Sequence, residues 1–114
     1  MKKKIRLETL ENTESKKLYD NFVISTRIIT NVRSKSERMS FHHVVIKAGW
    51  DHLISYEEND EIIYFLSGKA IISWDGNEHE VRAGSCVYIP AGSEYRYEAK
   101  EDAEMVCAFS PPAE

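Results

Sequence analysis

All five glycines of this chain fall between positions 49 and 92, at 49, 68, 76, 84 and 92. The last four recur every eight residues, and between them run IIYFLS, KAIISW, EHEVRA and SCVYIP. Glycine reaches the positive φ of tight turns without steric cost. Regular turn signals separated by β-branched and aromatic runs predict a small all-β sandwich or barrel. With 114 residues, the chain is long enough for one core and too short for two.

The remaining segments agree. FVISTRIITNV, from Phe22, and MSFHHVVIKAG, ending at Gly49, read as strands around the polar loop SKSERMS at 34–40. The near-continuous apolar run EIIYFLS predicts a strand buried on both faces. Asp75-Gly76 between KAIISW and NEHEVRA predicts a hairpin with a type I′ turn. Pro111-Pro112 ends the run, since proline cannot donate to a ladder. No helix is predicted. The expected organisation is a partly ordered arm over 1–20, a barrel over 21–112 and a tail at 113–114.

A formal net charge of −4 supplies no general attraction to nucleic acid or anionic membrane. The basic start, Lys2-Lys3-Lys4 and Arg6, is followed by Glu8, Glu11 and Glu14 and reads as a solvated arm. No apolar stretch resembling a leader or a membrane span follows it. Cys86 and Cys107 lie in strand-like runs and read as free buried thiols, consistent with a cytoplasmic protein, although a cross-strand disulfide is the other option.

From Gly49 onward the chain resembles the cupin superfamily. Gly49 is followed by five residues, Ser55-Tyr56-Glu57, three residues, Glu61, six residues and Gly68. Gly84 is followed by five residues, Pro90-Ala91-Gly92, two residues and Tyr95. These offsets match the two cupin motifs. The resemblance implies a double-stranded β-helix (a jelly-roll barrel) with an interior pocket, paired as a homodimer. It also implies that the positions holding a metal in other cupins are here Ser55, Glu57, Glu61 and Tyr95, so only the glutamate remains and all three histidines are gone. Two further likenesses are local. Glu61-Ile62-Ile63-Tyr64-Phe65-Leu66-Ser67-Gly68 resembles a strand of the ethanolamine-utilisation cupins. Val106-Cys107-Ala108-Phe109-Ser110-Pro111 resembles the ectoine synthase branch, whose enzymes use a glutamate, a tyrosine and a histidine and keep the histidine where Tyr95 stands here.

If that framework holds, Ser55, Glu57, Glu61 and Tyr95 point into the barrel, and two carboxylates in an apolar pocket cannot both stay ionised. Three readings follow. In one, Glu57, Glu61 and a Tyr95 phenolate hold a hard cation such as manganese or iron, giving a dioxygenase, isomerase or lyase. In another, a carboxylate and Tyr95, helped by Tyr97 on the same strand face, work as an acid/base pair. In the third, preferred here, the barrel is a binding pocket for a small polar metabolite. His42 and His43 are adjacent, so only one can face inward. His43 is the one weighed as a substitute ligand. His52 faces outward by strict alternation from Ser55, unless a bulge after Gly49 turns it in. Ile54, Tyr56 and Tyr64 are assigned to the face opposite the pocket. Arg27 and Arg33 could offset the carboxylates, and a salt-bridged Arg27 would make the site a structural ion pair.

Overall fold

The computed structural model describes residues 4–114, so the lysines at positions 2 and 3 lie outside the described residues. The chain forms β1 (Ser15–Leu18), β2 (Val23–Ile29), α1 (Asn31–Ser34), β3 (Ser40–Ile46), β4 (Asp51–Ser55), β5 (Asp60–Ser67), β6 (Lys69–Trp74), β7 (Asn77–Arg82), β8 (Cys86–Ile89), β9 (Glu94–Ala99) and β10 (Ala103–Ser110). A six-stranded sheet runs β1-β2-β3-β10-β5-β8 and a four-stranded sheet runs β4-β9-β6-β7. Every pairing is antiparallel. From β3 to β6 and again from β7 to β10 the chain crosses back and forth between the sheets, which is the double-stranded β-helix that the cupin resemblance implied.

Local chemistry explains the joints. Trp74 pairs with Asn77, leaving a two-residue loop of Asp75 and Gly76 with φ of 50° and 76°. That is the type I′ turn whose twist suits a hairpin. The single helical turn α1, unforeseen from sequence, is capped by Thr30, whose hydroxyl accepts from the Arg33 N–H at 2.9 Å. Four residues carry too little periodicity to be seen as a helix.

The core lies between the sheets. Ile63 and Phe65 from β5, Ala70 and Ile72 from β6, Tyr97 from β9 and Met105 from β10 are buried there. Burying an apolar side chain of this size is worth about 1.5–3 kcal/mol. Strand β5 is buried on one face only, a correction to the expectation of burial on both. Ile62, Tyr64 and Leu66 stand exposed on the outer face. Cys107 is buried as expected, but Cys86 is exposed, and both thiols are free. No helix among the described residues is long and apolar enough to cross a membrane.

Candidate active site

A cavity of about 250 Å³ opens inside the barrel. Inward-facing residues of the large sheet line one wall, among them Arg27 on β2, His42 on β3, Cys107 and Phe109 on β10 and Glu61 on β5. Tyr95 and Tyr97 on β9, with Trp50, Ile54 and Tyr56, form the other wall. Ladder register aligns the polar groups. Arg27 pairs with His42, and His42 with Cys107.

Glu61 is the chemical centre. It is only 4% exposed, and the Tyr95 hydroxyl donates to its Oε1 at 2.9 Å. Burial pushes its carboxyl up to about 7, against the opposing effect of hydrogen bonds from Tyr95 and Cys107. Burial and the adjacent Glu61 drive the Tyr95 phenol far upward, so it stays protonated and serves as a donor. The Cys107 thiol is likewise held up by burial and by Glu61. On the same wall, His42 packs on Phe109 with ring centroids 4.9 Å apart. Burial, reinforced by Arg27, lowers its imidazole to about 4, and it is neutral near pH 7. At the mouth, Trp50 touches the rings of Tyr19 and His52 at 5.1 and 5.3 Å.

Two of the four residues expected in the pocket meet there, Glu61 and Tyr95. Ser55 and Glu57 do not. Both are exposed, and the Ser55 hydroxyl donates to Glu57 Oε1 at 3.0 Å outside the cavity. Strand β4 runs in the opposite phase to the one read from the motif, so Ile54 and Tyr56 line the cavity instead of the reverse face. The physical reason is alternation from Trp50, which is buried and carries Ile54 inward with it, leaving Leu53 and Ser55 on the solvent face. Replacing Ser55 or Glu57 with alanine should therefore shift stability by no more than about 0.5 kcal/mol in urea titrations. A tenfold loss of ligand affinity or turnover in Glu57→Ala would return that carboxylate to the site.

The histidines and arginines are sorted in the same way. His42 enters the cavity, whereas His43 faces outward with its Nε2 2.6 Å from Glu104 Oε2. His52 lies at the rim, on the inward phase with Ile54. Arg27 pairs at 2.7 Å with Glu114 rather than with Glu61, and Arg33 pairs with Glu8 at 3.0 Å. The raised state of Glu61 thus comes from desolvation, not from a second carboxylate.

A metal held by Glu57, Glu61 and Tyr95 does not fit this arrangement. Glu57 is outside the cavity, a Glu61 oxygen is taken by the phenol, and that phenol holds its proton more tightly than a free tyrosine. Among the described residues, no three His, Cys, Asp or Glu side chains converge as ligands, where a catalytic centre needs about three.

The sequence profile describing ectoine synthase matches residues 3–114. The chain belongs to the ectoine synthase family. The L-ectoine synthase of Halalkalibacterium halodurans is 29% identical over 112 residues, spanning 96% of this chain and 84% of the relative. The crystal structure of ectoine synthase from P. lautus superimposes with a TM-score of 0.81 at 23% identity, covering 95% of this chain and 79% of that one. An RmlC-like cupin from Shewanella frigidimarina gives a TM-score of 0.82 at 15% identity, covering 100% and 97%. The last two likenesses speak to fold, and the fold is that of a cupin. Within the ectoine synthase family this chain has Glu61 and Tyr95 facing each other, with His42, Cys107 and Tyr56 as the further cavity groups that the motif did not point to. Their signal was weak. His42 was one of two adjacent histidines, and Tyr56 sat one place out of the assumed phase.

Proposed function

We propose that this chain is a metal-independent acid–base enzyme that closes a ring in a small acetylated diamino acid, with Glu61 as the proton carrier. The observation that carries the proposal is the buried Glu61–Tyr95 pair, a carboxyl poised near neutrality on a fixed phenol donor inside a cavity of metabolite size. Membership of the family supports the substrate class, because ectoine synthases act on acetyl-diaminobutyrate. In such a molecule a free amine attacks the acetyl amide carbon. The new carbon–nitrogen bond forms as neutral Glu61 protonates the carbonyl oxygen. Glu61, now a carboxylate, takes a proton from the attacking nitrogen and returns it to the same oxygen, which leaves as water. Tyr95 holds Oε1 throughout and fixes the carboxyl group while it carries the proton. Arg27, the one guanidinium lining the cavity, suits an anionic end of the ligand.

The test is conversion of acetyl-diaminobutyrate followed by proton NMR, with and without chelator, for the parent and Tyr95→Phe. The parent should turn over equally in both conditions. Tyr95→Phe should lower kcat by about 10²-fold, and because the lost hydrogen bond had favoured the carboxylate, the alkaline fall in rate should move to higher pH. Saturable binding without product would leave a ligand-binding cupin. Activity abolished by chelator and restored by one metal would overturn the metal-free route.

A further inference from the structure

Two buried side-chain polar atoms among the described residues have no partner within the protein, Tyr97 Oη and His42 Nε2. Both residues line the barrel cavity, from opposite walls. Buried polar groups are nearly always paired, and an orphan costs folding free energy. That the two orphans share one cavity points to a ligand as their partner. His42 is the less specific marker, since a neutral imidazole donates or accepts at Nε2 according to its tautomer.

Tyr97 says more. It is 1% exposed, and its ring stacks on Phe65 with centroids 6.3 Å apart and tilts against Trp50 at 5.7 Å. Its ladder partners are His52 on β4 and Ile72 on β6. These contacts fix the ring, so the hydroxyl cannot swing away to find a partner. Burial, followed by the effect of Cys107, pushes the phenol upward, and it keeps its proton near neutrality. Cys107 also donates to Glu61, so the Tyr97 hydroxyl and the Glu61 carboxyl stand around one thiol. Tyr95 shares the same face of β9, about 7 Å along the strand. The Tyr95 hydroxyl is committed to Glu61, whereas the Tyr97 hydroxyl is left to donate elsewhere.

The surroundings decide what can accept from it. Beside Tyr97 the cavity is lined by Trp50, Ile63 and Met105, with no cation among them. A carboxylate placed there would be desolvated against a single phenol, which is unfavourable without a paired positive charge. An amide carbonyl is neutral, accepts one strong hydrogen bond, and carries an alkyl group suited to an apolar wall. We infer that Tyr97 is the specificity-determining residue for the acyl end of the ligand, its hydroxyl donating to the amide carbonyl oxygen of an N-acylated amino acid. This deepens the ring-closing reading and rests on it. The oxygen held by Tyr97 is the one that Glu61 protonates. A ligand without the acyl group leaves the hydroxyl unpaired, and sites built to hydrogen-bond a ligand reject analogues that lack the matching atom.

Tyr97→Phe removes the hydroxyl and keeps the ring. Without ligand, its urea midpoint should rise above that of the parent, because a buried orphan is gone. Binding is measured by titration calorimetry in the Glu61→Gln background, where turnover does not disturb the heats. There Tyr97→Phe should weaken acetyl-diaminobutyrate about tenfold. Unacetylated diaminobutyrate, which has no amide oxygen, should bind with and without the hydroxyl alike. A tenfold loss in a chain whose parent forms no product would overturn ring closure and support the acyl subsite. Unchanged affinity for acetyl-diaminobutyrate, an equal loss for both ligands, or a urea midpoint that fails to rise would each overturn the subsite. Absence of any binding would overturn both.

Discussion

Glu61→Gln is expected to abolish turnover, lowering kcat by about 10²–10⁴-fold, while the protein still folds. Glutamine keeps the shape and the oxygen that accepts from Tyr95, but it cannot carry a proton. The same substitution exposes a hidden balance in the pH dependence of stability. The folded pKa of Glu61 is raised from 4.5 to about 7, so the native state holds a proton that the unfolded chain has released. Its stabilisation is complete below about pH 4.5 and is lost as pH rises through 7, on the order of 3 kcal/mol. The folded pKa of His42 is lowered from 6.5 to about 4, so its stabilisation is complete above about pH 6.5 and is lost as pH falls through 4. Between pH 4.5 and 6.5 the two slopes oppose each other. The parent should be nearly flat there, and Glu61→Gln should grow more stable with rising pH. Urea denaturation of both proteins at half-unit pH steps measures this difference directly. Superimposable profiles would show that Glu61 has an ordinary pKa and would remove the basis for its role as acid.

Gly68→Ala is expected to be the most damaging single-methyl change in the barrel. Gly68 has φ of +86°, and an added Cβ would collide with the carbonyl oxygen of Asp102 and lie 2.5 Å from the Ala103 Cα. These are backbone atoms where β10 begins, so no side chain can swing away. The strain and overlap should exceed about 4 kcal/mol, the range in which a domain of this size loses most of its stability. Gly76→Ala is the control. Its φ is +76°, and nothing lies within 4 Å of the added methyl, so only the left-handed cost of about 1–2 kcal/mol applies. Thermal melts of the two variants should separate widely. Equal losses would mean that backbone conformation alone, not the close crossing of strands, dictates glycine at 68.

The barrel was legible because its signals are local. Asp75-Gly76 dictates its own turn, and glycines between apolar runs place the strand ends whatever the strands later meet. That Glu61 and Tyr95 share the pocket was legible only through the cupin resemblance, because they stand on strands of different sheets that no local signal brings together. The phase of β4 was not. Leu53 and Ile54 put an apolar residue on each face, so period-two alternation offers two faces without saying which one is inside. Trp50, immediately after the Gly49 turn, settled it by taking the core position. The same ambiguity covered His42 and His43, each followed by valine two places on.

By itself, then, the sequence determined the all-β class and the eight-residue turn rhythm, since each depends on neighbours only a few residues away, whereas Glu61 and Tyr95 lie 34 positions apart on strands of different sheets. Only the tertiary structure decided that Ser55 and Glu57 face water, that His42 and Arg27 share the cavity with Glu61, and that Glu61 is raised by desolvation rather than by a second carboxylate. Burial is a property of what packs from distant parts of the chain, and the charge state of a buried carboxyl follows from that packing.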